Sequence, residues 1–402
     1  MNEATLNYVR QHADDDVRKL ALQGVKDTDV DLTQALQQIA GRQTARRKLP
    51  SWAAVDGIIY PPHLNMEQCS SEQTAKYKAK IVNCKSVNGK FTDLTGGFGV
   101  DFYWISQGFQ HRCYIEQNEQ LCTISSENFH ALGLDCSVCC CDAVTYLTTM
   151  PHVDLIYLDP ARRNEHGGRT YSIEDCTPNV IELLPLLMEK ANRVMLKLSP
   201  MLDWRKAADD LKYVREVHIV SVDNECKELL LLLDKEATED LRVVCVNDDK
   251  SFEFFPSWGK TFSLTEQNGL SLAEKRPFSE RETAFLYEPN ASIMKAGCFK
   301  ELAERFSVHQ ISANSHLFLS PVEIDDFPGR GFQISSISSM NKQELRAALK
   351  DTDRANISVR NFPLTPDQLR KKMKLKDGGD VYIFATTTSD GVHRLYICRK
   401  IG

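Results

Sequence analysis

The chain has 402 residues, 42% of them hydrophobic and 26% charged, with a formal net charge of −6. That composition excludes a disordered, collagen-like or coiled-coil protein. The length suits two or three domains at roughly 150 residues each, and no run approaches the ~20 apolar residues of a membrane helix. Charge is unevenly spread: residues 341–402 hold 13 Lys or Arg against 7 Asp or Glu, in a chain whose total is negative. A basic tail on an acidic body points to a polyanionic partner. The 13 cysteines and a polar, acidic N-terminus lacking the basic start and apolar centre of a secretory signal predict a reduced, cytoplasmic protein.

Residues 1 to about 48 read as helical. Val17, Leu20, Ala21, Gly24 and Val25 form one apolar stripe, and Leu32, Ala35, Leu36, Ile39 and Ala40 another. Leu49-Pro50 and Pro61-Pro62 break the pattern. Ser70 and Gln73 stand at capping-box spacing and predict a helix through Tyr77 and Lys80 toward Val82. From about residue 88 short apolar strands alternate with helices. Strands are predicted at Lys90–Leu94, Arg112–Glu116, Ser137–Cys141, Val153–Leu158 and Val194–Leu198, with helices near 99–107, 118–132, 142–149 and 177–191. This alternation is the pattern of a doubly wound α/β sheet of Rossmann type. Val217–Val222 and Leu229–Asp234 leave no room for a long helix between them and predict an antiparallel pair. The expected organisation is a helical region at 1–87, the α/β sheet at 88–235, a linker or hairpin region at 236–280 and an α/β module at 281–402. Helices are expected in that module at 293–305 and 341–350, and strands at 331–337, 356–359, 381–388 and 393–399.

The most informative stretch is Phe91-Thr-Asp-Leu-Thr-Gly-Gly-Phe-Gly-Val-Asp101. A strand ends near Asp93, a turn containing Thr95, Gly96, Gly97 and Gly99 follows, and a helix begins. In open parallel sheets ligands sit beyond the carboxyl ends of strands. Glycines allow close backbone approach to a ligand. The spacing G-G-x-G differs from the dinucleotide pattern, and Asp93 before the turn suits a cation and opposes a pyrophosphate. Glu116 ends the second strand, where an acid accepts from both hydroxyls of a ribose. Asp142 closes the third strand and is placed to accept from an adenine amino group. Acids at three consecutive strand ends make an adenosine site with an added positive charge.

Residues 88–235 thus resemble the class I S-adenosylmethionine-dependent methyltransferases. The resemblance implies S-adenosyl-L-methionine as cofactor, with Asp93 to Gly99 as the first cofactor motif, Glu116 the ribose acid and Asp142 the adenine-side acid. It also places the methyl acceptor at the fourth strand end, Asp159-Pro160-Ala161-Arg162. Amino-directed nucleic-acid methyltransferases carry [DN]-P-P-[YFW] there. Asp159 and Pro160 match; Ala161 and Arg162 do not, although an arginine plane can stack on a base or hold a phosphate. The expected catalytic residues are therefore Asp159, Pro160 and Arg162, with Lys197 or Ser199 lining the pocket. No cysteine follows the fifth strand, which disfavours the covalent route of the D-P-P-R carbon methyltransferases.

Cys136, Cys139, Cys140 and Cys141 lack the second ligand pair of a zinc site, so no metal is expected. In the tail, Arg370, Lys371, Lys372, Lys374 and Lys376 cluster within seven residues, a run able to neutralise phosphates. Tyr287-Glu-Pro-Asn-Ala291, Arg360-Asn-Phe-Pro363 and the Leu-Arg-Lys-Lys run resemble the THUMP-like domain appended to a group of bacterial methyltransferases. Ser70–Lys78 and the Asp-Pro-Ala-Arg turn resemble the same group. That resemblance implies an RNA substrate, transfer or ribosomal, methylated at a base nitrogen. The alternatives are a small-molecule or protein methyltransferase and a non-catalytic RNA-binding module.

Overall fold

The computed structural model describes residues 1–82, 88–162, 173–236, 240–256 and 283–401, with Arg162 described in its backbone alone. Most of the expected linker, 257–280, lies outside these residues. The chain forms two compact units, Met1–Val217 with Leu229–Glu239, and His218–Glu228 with Asp240–Gly402.

In the first unit the N-terminal helices Glu3–Gln11, Val17–Gln23 and Leu32–Lys48 each start at an acceptor side chain: Asn2, Asp16 and Asp31 accept from backbone N–H groups of the first turn. These caps answer donors that have no intrahelical partner. Pro50 opens the next short helix, Pro50–Ala53. The helix Glu72–Val82 follows, and its cap lies one residue later than expected: the Thr74 N–H donates to Ser71 Oγ at 3.2 Å. Ser70 is thereby released for another use, described below.

The strands of this unit are β1 (Lys90–Asp93), β2 (His111–Glu116), β3 (Ser137–Cys140), β4 (Val153–Leu158), the two-residue pair β5 (Ala161–Arg162) and β6 (Cys176–Thr177), β7 (Ala191–Leu198), the start of β8 (Val214–Val222) and the end of β9 (Glu225–Asp234); residues 218–228 of the last two belong to the second unit. In this unit the strands lie in the order β9-β7-β4-β1-β2-β3. The pairs β1–β2, β1–β4, β2–β3 and β4–β7 are parallel, and β9 lies antiparallel to β7. The order reverses beside β1, so the exits of β1 and β4 diverge at one end of the sheet, which is where such sheets bind ligands. Asp223 and Asn224, both at positive φ, turn β8 into β9; paired left-handed residues suit the tight turn of a hairpin. One helix went unforeseen, Trp204–Leu211, capped by Asp203 and burying Trp204, Ala207, Ala208 and Leu211.

The N-terminal residues share the core of the sheet: Trp52, Tyr60 and Met66 lie in one buried cluster with Phe91, Phe98, Phe102, Tyr114 and Phe129. Fully buried Asn128 locks this packing. Its side chain accepts from the Ile59 N–H at 2.8 Å and donates to the Ile59 carbonyl at 2.9 Å.

The second unit contains the hairpin β10 (Arg242–Asn247) and β11 (Lys250–Phe254). It also holds β12 (Phe285–Pro289), β13 (His309–Gln310), β14 (Phe318–Ser320), β15 (Gly329–Ser338), β16 (Asn356–Arg360), β17 (Val381–Thr387) and β18 (His393–Lys400), ordered β13-β14-β12-β15-β18-β17-β16. Alternating residues face opposite cores, as a pleated strand requires. Phe384 and Tyr396 join Leu286, Leu317 and Phe332, while Ile383, Ala385, Leu395 and Ile397 pack with Leu369. The helix expected at 293–305 is two, Ala291–Ala296 and Phe299–Phe306, parted by Gly297 at φ +67°. The basic run begins on Pro366–Met373, a helix absent from the sequence expectation and opened by a Thr365–Gln368 capping box, and continues past its end with Lys374 and Lys376. Buried Glu288 on β12 pairs with Arg330 on β15 and, at 2.9 Å, with Arg360 on β16.

Asn128→Ala leaves both backbone groups of Ile59 without their partner. We expect a loss of about 2 kcal/mol or more in unfolding free energy, measured by chemical denaturation, with the native fold retained in circular dichroism.

Candidate cofactor and acceptor site

β1 delivers Asp93 to the mouth of the sheet almost wholly buried. Its Oδ1 accepts from the Thr95 N–H at 2.9 Å, the first bond of the turn. Its Oδ2 is buried with no hydrogen-bond partner among the described residues. Burial pushes the Asp93 carboxyl well above the usual carboxylate range. The Thr95 N–H works against that, and the negative charges of Asp101, Asp159 and Glu116 add to it. The sheet thus gathers four carboxyls around one point.

The turn is fixed from both sides. The Leu94 N–H donates to the Tyr157 carbonyl at 3.0 Å and the Gly96 N–H to the Ile115 carbonyl at 2.8 Å. Glycine is required at 96 and 99 for packing. A Cβ on Gly96 would stand 2.1 Å from the Tyr114 ring, and one on Gly99, at φ +83°, 2.6 Å from Phe129. At Gly97 the φ of +56° demands glycine, and the space a Cβ would occupy is open. At 96 and 99 the space a side chain would take is filled by aromatic rings, so these two glycines are also required by packing within the protein.

Glu116 closes on this turn from the end of β2. Its Oε2 accepts from the Gly97 N–H at 2.8 Å and its Oε1 from the Asn118 N–H at 2.8 Å. Each oxygen keeps a further lone pair. Asp142 stands on the neighbouring exit: Glu116 is in register with Cys140, and the Cys141 N–H donates to the Glu116 carbonyl. It is exposed and caps the helix Ala143–Thr149, where its Oδ1 accepts from Thr145 N–H and Oγ1 at 2.8 and 3.0 Å.

Asp159 follows β4. Its N–H donates to Thr95 Oγ1 at 2.7 Å, which joins the acceptor-side loop to the glycine turn, and its carboxylate pairs with Lys197 of β7. Pro160 is buried, and the backbone of Ala161 and Arg162 pairs with Thr177 and Cys176. The structure therefore brings Asp93, Thr95, the glycines, Glu116 and Asp159 together. It sets Asp142 on the adjacent strand end and leaves the Arg162 side chain undescribed. Among the described residues no group of three or more His, Cys, Asp and Glu side chains is arranged to hold a metal ion, and no helix is long and apolar enough to cross a membrane.

Sequence reasoning gave no role to Asp101 or Tyr157 and read Ser70 only as a helix cap. Asp101 sits in the first turn of Val100–Ser106, directly after the glycine turn, and accepts from Ser70 Oγ and Tyr157 Oη, each at 2.7 Å. Lys78 Nζ lies 3.1 Å from its other oxygen. Burial would raise the Asp101 carboxyl, but Lys78, Lys197 and these two hydroxyls outweigh it and hold the group below the usual range. The signal in the sequence was Asp101 itself, an acid closing the glycine motif.

Residues 329–400 match the family model described as THUMP domain-like, and 285–328 match a ferredoxin-like domain. The crystal structure of a candidate methyltransferase from Porphyromonas gingivalis W83 is 30% identical, spans 99% of this chain and 98% of its own, and superposes with a TM-score of 0.84. Two strains of Mycobacterium tuberculosis carry uncharacterised S-adenosylmethionine-dependent methyltransferases 23% identical over 342 residues, 83% of this chain and 87% of theirs. The chain belongs to this family: it is an S-adenosylmethionine-dependent methyltransferase with a THUMP-like C-terminal domain. The site fits that cofactor. A cationic ligand answers a buried carboxylate oxygen that has no partner among the described residues, beside three further acids.

Gly96→Ala forces the Tyr114 ring aside. We expect a stability loss of about 1–3 kcal/mol and a marked drop in S-adenosylmethionine affinity, read by thermal unfolding and calorimetric titration.

Proposed function

We propose that the protein methylates RNA, transfer or ribosomal, at a base nitrogen. The observation that carries this is the exposed cation cluster on the THUMP-like domain. Lys371, Lys372, Lys374 and Lys376 are all exposed. Arg370 is spent internally on Asp367 and Asp377, at 2.7 and 2.6 Å, so the lysines form the part of the run that can meet phosphates.

In this reading Asp93 Oδ2 receives the ammonium of the cofactor's methionyl part, and Glu116 accepts from the ribose hydroxyls with the lone pairs the backbone leaves open. Thr95, Gly96, Gly97 and Gly99 frame the turn beneath them. Asp142 accepts from the adenine amine with Oδ2 while Oδ1 caps its helix. The cofactor supplies a methyl group on a sulfonium, which needs alignment more than covalent help. Asp159 orients the acceptor amine and draws on its N–H, with the Pro160 carbonyl as a second acceptor and Arg162 stacking on the base or clamping a phosphate. Lys197 keeps Asp159 aimed until the acceptor amine takes its place.

Incubation with labelled cofactor and fractionated cellular RNA, DNA and protein tests the substrate class: label in RNA supports the reading, and label confined to protein or small molecules overturns it. With an RNA substrate in hand, Asp159→Ala is expected to lose roughly 10²–10⁴-fold in turnover while the calorimetric affinity for S-adenosylmethionine stays nearly unchanged. Replacing Lys371, Lys372 and Lys374 by Ala is expected to weaken RNA binding and flatten the slope of log K against log salt by about 2–3, measured by fluorescence anisotropy.

A further inference from the structure

Lys78 is the only fully buried lysine among the described residues. Its helix carries Lys76 and Lys80 on exposed positions, and neither is drawn inward. Its ammonium lies 3.1 Å from Asp101 Oδ1 and donates to Ser70 Oγ at 3.1 Å, and Ser70 in turn donates to Asp101 Oδ2. Tyr157 Oη, on β4, donates to that same oxygen. One carboxylate thus gathers three pieces of chain: the segment Ser70–Val82, the helix that leaves the glycine turn, and the strand that two residues later presents Asp159.

A buried ion pair is a poor source of stability, because well-packed apolar residues of similar volume hold a core together as well or better. Charge in this place is better explained by the neighbours it faces. From β1 comes Asp93, from β2 Glu116, from the β4 exit Asp159, and from β7 Lys197, whose charge also reaches Asp101. Lys78 and Lys197 are the cations whose charge lowers Asp101, and Lys197 is also engaged by Asp159; without Lys78 the Asp101 charge, which bears on Asp93, loses its nearer counterion.

We infer that Lys78 is a positioning residue of the methyltransferase site: by holding Asp101 it keeps the glycine turn and the Asp159 strand in one frame and keeps the Asp93 carboxylate available to the cofactor. The segment Ser70–Val82, outside the doubly wound sheet, is by this inference part of the active site. The inference rests on the reading of Asp93 to Gly99 as the cofactor loop.

The test is calorimetric titration of the full-length protein with S-adenosylmethionine between pH 5.5 and 9, with thermal unfolding of each variant alongside. Lys78→Met keeps the length of the side chain and removes its charge. Asp93 and Asp101 then titrate together at higher pH. Affinity at neutral pH is expected to fall about tenfold or more, and the pH at which it declines to rise by about one unit. Lys78→Arg restores the charge and is expected to recover the pH midpoint. A role confined to stability would move the unfolding temperature and leave that midpoint in place. A folded Lys78→Met protein with wild-type affinity and midpoint overturns the inference. If Lys78→Met does not fold, Tyr157→Phe and Ser70→Ala, each lacking one hydroxyl on Asp101, decide it: weaker cofactor binding supports it and unchanged binding overturns it. Asp93→Asn separates the two levels. If it too leaves affinity intact, the cofactor loop itself is wrongly placed; if it alone weakens binding, the loop stands and only Lys78 is misassigned.

Discussion

A carboxylate sealed from water among other carboxylates stays charged only where a cation is at hand. The architecture of this methyltransferase follows from supplying that situation and then leaving it incomplete. Asp93, Asp101, Glu116 and Asp159 converge at one end of the sheet, and the two lysines beside them are already engaged, Lys78 with Asp101 and Lys197 with Asp159. Of the two acids left over, Glu116 accepts from the Gly97 and Asn118 N–H groups, while Asp93 keeps one oxygen buried and unanswered among the described residues. A site in that condition favours a positively charged ligand, and a sulfonium cofactor brings positive charge. The parallel strands are the means of carrying the acids there, since each ends at the same side of the sheet.

Much of this was legible in the sequence, and the reasons differ from residue to residue. Asp93 and Glu116 end strands whose apolar runs are short and bounded, so periodicity alone located them. The glycines were legible as a turn; the rings that also require glycine at 96 and 99, Tyr114 and Phe129, were not, because they lie elsewhere in the chain. Asp142 was expected as a strand end and is a helix cap, a shift of the kind that short βα connections readily hide. The sequence offered Tyr77 or Lys78 as a cap over the bound ligand, without a way to choose Lys78 from its helix. What distinguishes it from Lys76 is burial against Asp101, and no local pattern encodes that.

The second unit shows the same division. Its long strands β15, β17 and β18 were foreseen. The two-residue β13 and three-residue β14 are too brief for periodicity to register, and β12 ends in proline, which reads as a break. The helix Pro366–Met373 was hidden by its own charge: Leu369 is its one buried residue, so the apolar stripe that marks most helices is nearly absent. The cluster of cations drew attention to ligand chemistry and away from the capping box that builds the helix.

Glu288 carries a consequence for how this C-terminal half came to be one piece. Its carboxylate belongs to the ferredoxin-like stretch, while both guanidinium groups it binds belong to the THUMP-like stretch. Cutting the polypeptide between the two would strand a buried anion on one fragment and orphan both cations on the other. The portable module is therefore the two stretches together, and a gene fusion or truncation that respects the family boundary near residue 328 would cut through a salt-bridged joint.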